Sequence, residues 1–176
     1  MRFIILSILY LSVCAVVLAA CVSPVNDKRI RYELPNDFEG AVVIFFDQAD
    51  GVDIRKEGNT SIVTVPESGV VNVKDPISEM DGLPTFEMVK DNGDRSVITY
   101  LRLQNQPDTG SSRLYENISE EEKTGHVFSM NYERGSFQSK QGPTRYISFL
   151  VCKPKNANLF ASRDLNRKIR DFAMSH

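Results

Sequence analysis

Few residues in this chain are equipped for covalent or acid–base chemistry. Two histidines occur, His126 and His176, and three cysteines, Cys14, Cys21 and Cys152. A nucleophilic serine or cysteine needs a base held beside it. His126 opens a strand-like stretch after Thr124-Gly125 and reads as a surface histidine, and His176 is the last residue, expected to be disordered. No Gly-x-Ser-x-Gly elbow occurs. Zinc would need paired histidines or cysteines, and neither pattern is present. Asp47, Asp50 and Asp53 surround Gly51, but without the alternate-residue ligands and closing glutamate of a calcium loop they read as a solvated turn. Glu120-Glu121-Glu122 is a charge run at a helix start rather than two carboxylates flanking a cleft. The sequence thus offers no catalytic, metal-binding or cofactor-binding residue, and the chain is expected not to be an enzyme.

Cys21 is the thiol whose surroundings give it a task. Arg2 supplies one positive charge, Phe3 to Val17 is almost wholly apolar, and no further charge comes before Asp27. Basic start, apolar middle and small residues before a cut form the plan of an export signal. Leu18-Ala19-Ala20-Cys21 resembles the lipobox of bacterial lipoproteins, with a branched residue three before the cut. That resemblance implies cleavage between Ala20 and Cys21, a diacylglyceryl group on the Cys21 sulfur, and Cys21 as the new N-terminus. Each buried methylene of an acyl chain contributes about 0.8 kcal/mol, so two or three chains make release negligible. The alternative is an uncleaved membrane span over Phe3–Val22, just long enough to cross a bilayer. A plain span needs no cysteine after Ala-Ala, which favours the lipoprotein. The expected location is a bacterial membrane, with the chain facing the periplasm or cell exterior. Val22 is not aspartate, so the inner-membrane retention signal of some Gram-negative lipoproteins is missing.

Residues 1–20 read as the leader, 21–28 as an acylated N-terminus and short polar tether, and 29–176 as one domain of ordinary size. The chain carries 21 basic and 23 acidic residues, which gives no reason to expect nucleic acid as a partner. Cys152, in the apolar run Tyr146–Cys152, has no partner for an intrachain disulfide and reads as a buried small hydrophobe.

The elements that must position any site are mostly strands. Arg29–Leu34 alternates charged and apolar residues, the period of a half-buried strand. Gly40–Phe46 is continuously apolar, β-branched and aromatic, as in a central strand. Ser61–Val65 and Gly69–Val73 are shorter. Thr85–Val89 and Arg95–Leu101 flank Asp91-Asn92-Gly93-Asp94, where Asn-Gly predicts a type I′ hairpin turn. His126–Tyr132 and Arg145–Cys152 complete about eight strands, with Gly135–Pro143 as a polar connection. Ser119 and Glu122 are spaced to cap one helical turn. Phe160, Leu165, Ile169 and Phe172 lie near helical spacing and predict a C-terminal helix. The sum is a mostly β protein, an antiparallel β-sandwich with one C-terminal helix.

Two stretches carry a further resemblance. Tyr32–Asp47, with Leu34-Pro35, Phe38, Gly40 and a valine-rich strand, and Val65-Pro66-Glu67-Ser68-Gly69-Val70-Val71 look like an uncharacterised family of small secreted bacterial proteins and lipoproteins. The same spacing is similar to the prealbumin-like modules of carboxypeptidase regulatory domains. The resemblance spans residues 32 to about 100; it implies a prealbumin-like sandwich and an envelope location, and no activity.

The functional expectation is a membrane-anchored binding or structural module. Its partners are membrane lipid, through Cys21, and an envelope protein or the cell wall. The loops Asp47–Gly58, Pro76–Pro84 and Asn105–Ser112 are its candidate contacts. The alternatives are a hydrolase with an unusual carboxylate pair, and an accessory or inhibitory lipoprotein for an envelope enzyme. The basic run Lys153, Lys155, Arg163, Arg167, Lys168 and Arg170 could lie on anionic lipid, but Asp164 and Asp171 are interspersed and a solvated face is expected.

Overall fold

The computed structural model describes residues 28–103 and 112–176. Cys14, Ala20 and Cys21, and all but the last residue of the Asn105–Ser112 loop, lie outside the described residues. One sheet has the order β3 (Arg55–Glu57), β4 (Thr60–Thr64), β1 (Arg29–Pro35), β6 (Leu83–Val89), β7 (Arg95–Ile98). The other has the order β5 (Val70–Asn72), β2 (Gly40–Phe45), β11 (Gly142–Cys152), β10 (Phe128–Ser139), β8 (Tyr100–Arg102), β9 (Ser112–Leu114). The protein is mostly β, as its composition of alternating runs implies.

Strand β2 is buried at every position. Its continuous apolar run makes sense only with cover on both faces, and the structure supplies it. Val42 and Ile44, with Ile147, Phe149 and Val151 of β11, face the first sheet and meet Ile30, Tyr32, Leu34, Val63 and Phe86. Tyr32 lies 4.8 Å from Phe149 and 5.4 Å from Phe86, ring centre to ring centre. The alternate residues Ala41, Val43 and Phe45 belong to clusters on the opposite face, with Leu150, Cys152 and Phe172. Phe172 stacks on Phe45 at 3.7 Å. The molecule therefore has three layers: sheet, sheet, helix. Cys152 is fully buried and its thiol is pushed up to about 12 by burial, so it behaves as the hydrophobe its sequence context implies.

The pairing departs from the antiparallel plan. β1 is parallel to both neighbours, Tyr32 sitting between Val63 and Phe86. β2 is parallel to β5, and β8 is parallel to β10 and β9. Both sheets are mixed. Alternation reports which face a strand buries, but it carries no strand direction, which is why the sequence expectation failed there.

The β6–β7 hairpin forms where expected, with Val89 opposite Arg95, but its turn differs. Gly93 has φ +86°, whereas Asn92 is not left-handed, and a type I′ turn needs both. The Gly93 N–H donates to the Lys90 carbonyl at 2.8 Å, and the Lys90 N–H to the Asp94 carbonyl at 2.9 Å. This is the three-residue loop with glycine closing it. The Asn92 side chain accepts the Asp94 N–H instead of bending its own backbone. Past Ile98 the chain changes sheets, so Arg95–Leu101 is two strands. The polar segment Gly135–Pro143 is likewise not a loop but the distal half of the β10–β11 hairpin, paired from Ser139↔Gly142 inward.

The capping expectation holds in helix α1 (Glu120–Gly125). The Ser119 hydroxyl accepts the Glu122 N–H, and Glu122 accepts the Ser119 N–H. The C-terminal helix α2 (residues 157–175) is α-helical over Ala157–Leu159, widens by a π turn over Phe160–Leu165, and returns to α over Asn166–Ser175. His176 is ordered at its end, its ring stacked 4.0 Å from that of Phe172.

Strand β5 pairs with β2 only from Val43 onward. That leaves the outward N–H and C=O of Ala41 without a strand partner, and a buried unpaired group costs about 1–3 kcal/mol. Helix α2 takes both. Asp164 accepts the Ala41 N–H at 3.0 Å, Lys168 donates to the Ala41 carbonyl at 2.6 Å, and the two side chains pair at 3.0 Å. Gly69 makes room: a Cβ there would lie 2.5 Å from the Ala41 oxygen and 2.8 Å from the Lys168 nitrogen. Asp164→Ala and Lys168→Ala are each expected to lower unfolding stability by about 1–3 kcal/mol. Because they share partners, the double variant should lose less than the sum of the two. Urea denaturation of the three variants checks this; strict additivity would mean that the clamp is not a unit.

Candidate functional site

The carboxylates that the sequence placed near Gly51 do not converge. Asp47, at φ +60°, pairs with Arg145 at 2.8 Å, while Asp50 and Asp53 stand on the rims of two different depressions. Among the described residues no three His, Cys, Asp or Glu side chains are gathered to hold a metal ion. His126 is exposed at the end of α1. The Pro76–Pro84 loop is a structural joint: Met80 is fully buried, and Arg134 bonds both the Asp81 carboxylate and the Met80 carbonyl.

The Asp47–Gly58 loop borders a groove at the open side of the sandwich. One depression, of about 390 Å³, runs between Pro66 and Val70 with Asp50 and Asn72 at its edge. A second, of about 250 Å³, shares Val52 and Thr64 with it and reaches Ile54, Arg55 and Ile62. Val52 is 60% exposed within this groove. It is held there by the Val52↔Val73 bridge, its N–H donating to the Asn72 carbonyl at 2.8 Å. The Asn72 side-chain oxygen is buried with no hydrogen-bond partner. The groove is therefore a mostly apolar strip with a few polar groups at its rim, a composition suited to binding.

The strongest electrostatic feature lies on the outer face of the first sheet. Alternation along β1 puts Arg31 and Glu33 outward, and the parallel register sets Thr64 and Glu87 on either side of Glu33. Glu33 is 5% exposed although no layer covers this face. Arg95 donates to it at 2.5 Å, Arg55 to both its oxygens at 3.0 and 3.1 Å, and Thr64 at 3.2 Å. Arg31 sits 3.3 Å away but out of line for a hydrogen bond, and gives its guanidinium to Glu57 at 2.7 Å. Arg95 also reaches Glu87 at 3.2 Å. Burial alone would raise the Glu33 carboxyl; the hydrogen bond and charge of Arg95, the charge of Arg55 and the Thr64 hydroxyl outweigh it and hold the group below its usual range. So stabilised, the group is an ionised carboxylate at neutrality, with no proton to donate there. Its work is to tie its own strand, β1, to β3, β4 and β7.

Sequence reading found the alternation of β1 but not this cluster. Arg55 and Arg95 lie 22 and 62 residues from Glu33, and only the fold brings them together.

A sequence model described as a family of unknown function, DUF6843, matches residues 27–144. Among solved structures, the chain resembles the "Putative Lipoprotein from Bacillus anthracis" with a TM-score of 0.51 and 15% sequence identity, over 83% of this chain and 91% of that one. At that identity the likeness is one of fold. No curated protein matches the chain.

The depressed Glu33 carboxyl stabilises the folded state above the ordinary carboxylate range, and that stabilisation is lost as pH falls through the lowered value. Glu33→Gln should therefore destabilise at neutral pH by about 1–3 kcal/mol, since partly exposed arginines moderate the loss of a buried pair. The gap from wild type should narrow in acid. Thermal melts at several pH values check this; a gap that widens in acid would contradict it.

Proposed function

This chain belongs to the DUF6843 family, whose function is unknown, and we propose that it is a lipid-anchored protein of the bacterial envelope that acts by binding. One observation carries the anchor: Leu18-Ala19-Ala20-Cys21 follows an uncharged apolar run and precedes a short polar tether. The fold likeness to a protein named as a lipoprotein agrees with it. No helix among the described residues is long and apolar enough to cross a membrane. In this reading the domain is a variant of the two-sheet, prealbumin-like plan with a parallel centre. The groove around Val52 is its contact surface for an envelope protein or the cell wall. The carboxylates support binding over hydrolysis because the best-buried one, Glu33, is committed to arginines.

Intact mass and fatty-acid labelling test the anchor. The native protein is expected to lack residues 1–20 and to carry acyl chains, and Cys21→Ser is expected to lose the label and keep its leader. A native protein without label sinks the anchor. For the groove, Val52→Arg should change stability by no more than about 0.5 kcal/mol, as an exposed substitution. It should also remove an envelope component that cross-links to the native chain. Undiminished cross-linking would move the contact elsewhere.

A further inference from the structure

The outer side of α2 carries charge that the fold does not use. Residues 153–176 hold six basic and two acidic side chains in a chain whose net charge is −2. Asp164 and Lys168 are turned to Ala41, which removes one of each from the exposed side. Arg163, Arg167 and Arg170 are exposed. Arg167 pairs with Asp164, whereas Arg163 and Arg170 make no ion pair among the described residues. Asp171 is the one exposed acid along the helix. Lys140, at the tip of the β10–β11 hairpin, donates to the Met174 carbonyl at 2.7 Å and adds a further cation at the helix end.

Two apolar side chains flank this basic ridge. Leu159 is 49% and Met174 60% exposed, one near each end of the helix. The inner stripe of Leu165, Ile169 and Phe172 is already packed on the sheet, so neither Leu159 nor Met174 belongs to the core stripe. The outer face of the first sheet shows the contrast. There the arginines are matched by Glu33, Glu57 and Glu87. A ridge of three arginines, two of them without an ion partner among the described residues, with an apolar residue at each end has the composition of an interfacial helix, and an anionic bilayer supplies both the phosphates and the apolar boundary it lacks.

We propose that the outer ridge of α2 rests on an anionic lipid surface, with Arg163, Arg167 and Arg170 on headgroup phosphates and Leu159 and Met174 at the edge of the acyl region. The inference rests on the membrane placement above, though not on how the chain is anchored. It gives the domain a definite posture: helix layer against the lipid, and the charged face of the first sheet turned away from it.

Hydroxyl-radical footprinting of the whole native chain, reconstituted in vesicles, reads this without a label. In vesicles of phosphatidylcholine with phosphatidylglycerol, Leu159 and Met174 should be protected relative to vesicles of phosphatidylcholine alone. Val97, 70% exposed on the far sheet, should react equally in both. High salt should reverse the protection. Arg163→Gln with Arg170→Gln removes two free cations at about 1 kcal/mol each, a weakening of about thirtyfold that should restore reactivity. Unchanged reactivity of Val97 in that variant shows that the fold is intact. Equal reactivity of Met174 in the two vesicle types overturns the proposal, and so does equal protection in both. Protection seen only in native membranes assigns the ridge to an acidic protein and overturns it too. Protection of Met174 in a chain that proves to carry no acyl group removes the anchor and leaves this inference standing.

Discussion

Strand β2 has no face to give to water, and the layers follow from that. Val42 and Ile44 on one side and Ala41, Val43 and Phe45 on the other are all buried. A strand of this kind needs two covers, while an edge of the sandwich would provide one. The first cover is the sheet built around β1, joined through Tyr32, Phe86 and Phe149. The second is α2, joined through Phe172 on Phe45. The helix is thus part of the core and not an appendage. Its polar side chains, moreover, complete the backbone hydrogen bonding where β5 stops short. The π turn over Phe160–Leu165 contains Asp164, so the irregular turn holds one of the two residues that reach β2.

The first sheet solves a different problem. Its three central strands are parallel, an arrangement normally covered on both faces, yet its outer face meets solvent. The charged cluster stands in for a layer. Ile62 is 2% exposed and lies outside the main core, in register between Arg31 and Arg55. Long arginine stems held by Glu33 and Glu57 keep water from it. A buried ion network is a modest source of stability, since desolvation offsets most of the attraction. What it adds here is position: one carboxylate contacts side chains from β1, β3, β4 and β7.

Several features were legible in the sequence because their cause is local. The Ser119–Glu122 cap, the β6–β7 hairpin, the buried Cys152 and the apolar spacing of α2 all depend on residues within a few positions of one another. The doubly buried β2 announced itself as an unbroken apolar run. Other features depend on partners dozens of residues away. Nothing in Arg31-Tyr32-Glu33 tells that its neighbours run parallel, or that Arg95 will reach Glu33. In the distal half of the β10–β11 hairpin burial alternates but hydropathy does not: the inward positions are Gly135, Phe137 and Ser139, of which only Phe137 is a large apolar residue. At the turn, Asn-Gly pointed to the right place and the wrong geometry, since Asn92 spends its side chain on Asp94.

The parallel centre of the first sheet also dictates an order of events. β1 is the first strand of the described residues, yet it pairs with residues 60–64 and 83–89 and not with β2, the next strand along the chain. A chain emerging N-terminus first from a ribosome or a translocation channel cannot seat β1 until residue 89 is free. The β10–β11 hairpin, by contrast, closes over short sequence distances as soon as it appears. High contact order of this kind slows folding. The centre of the first sheet therefore stays open until β6 has been made, while the β10–β11 hairpin needs no such wait.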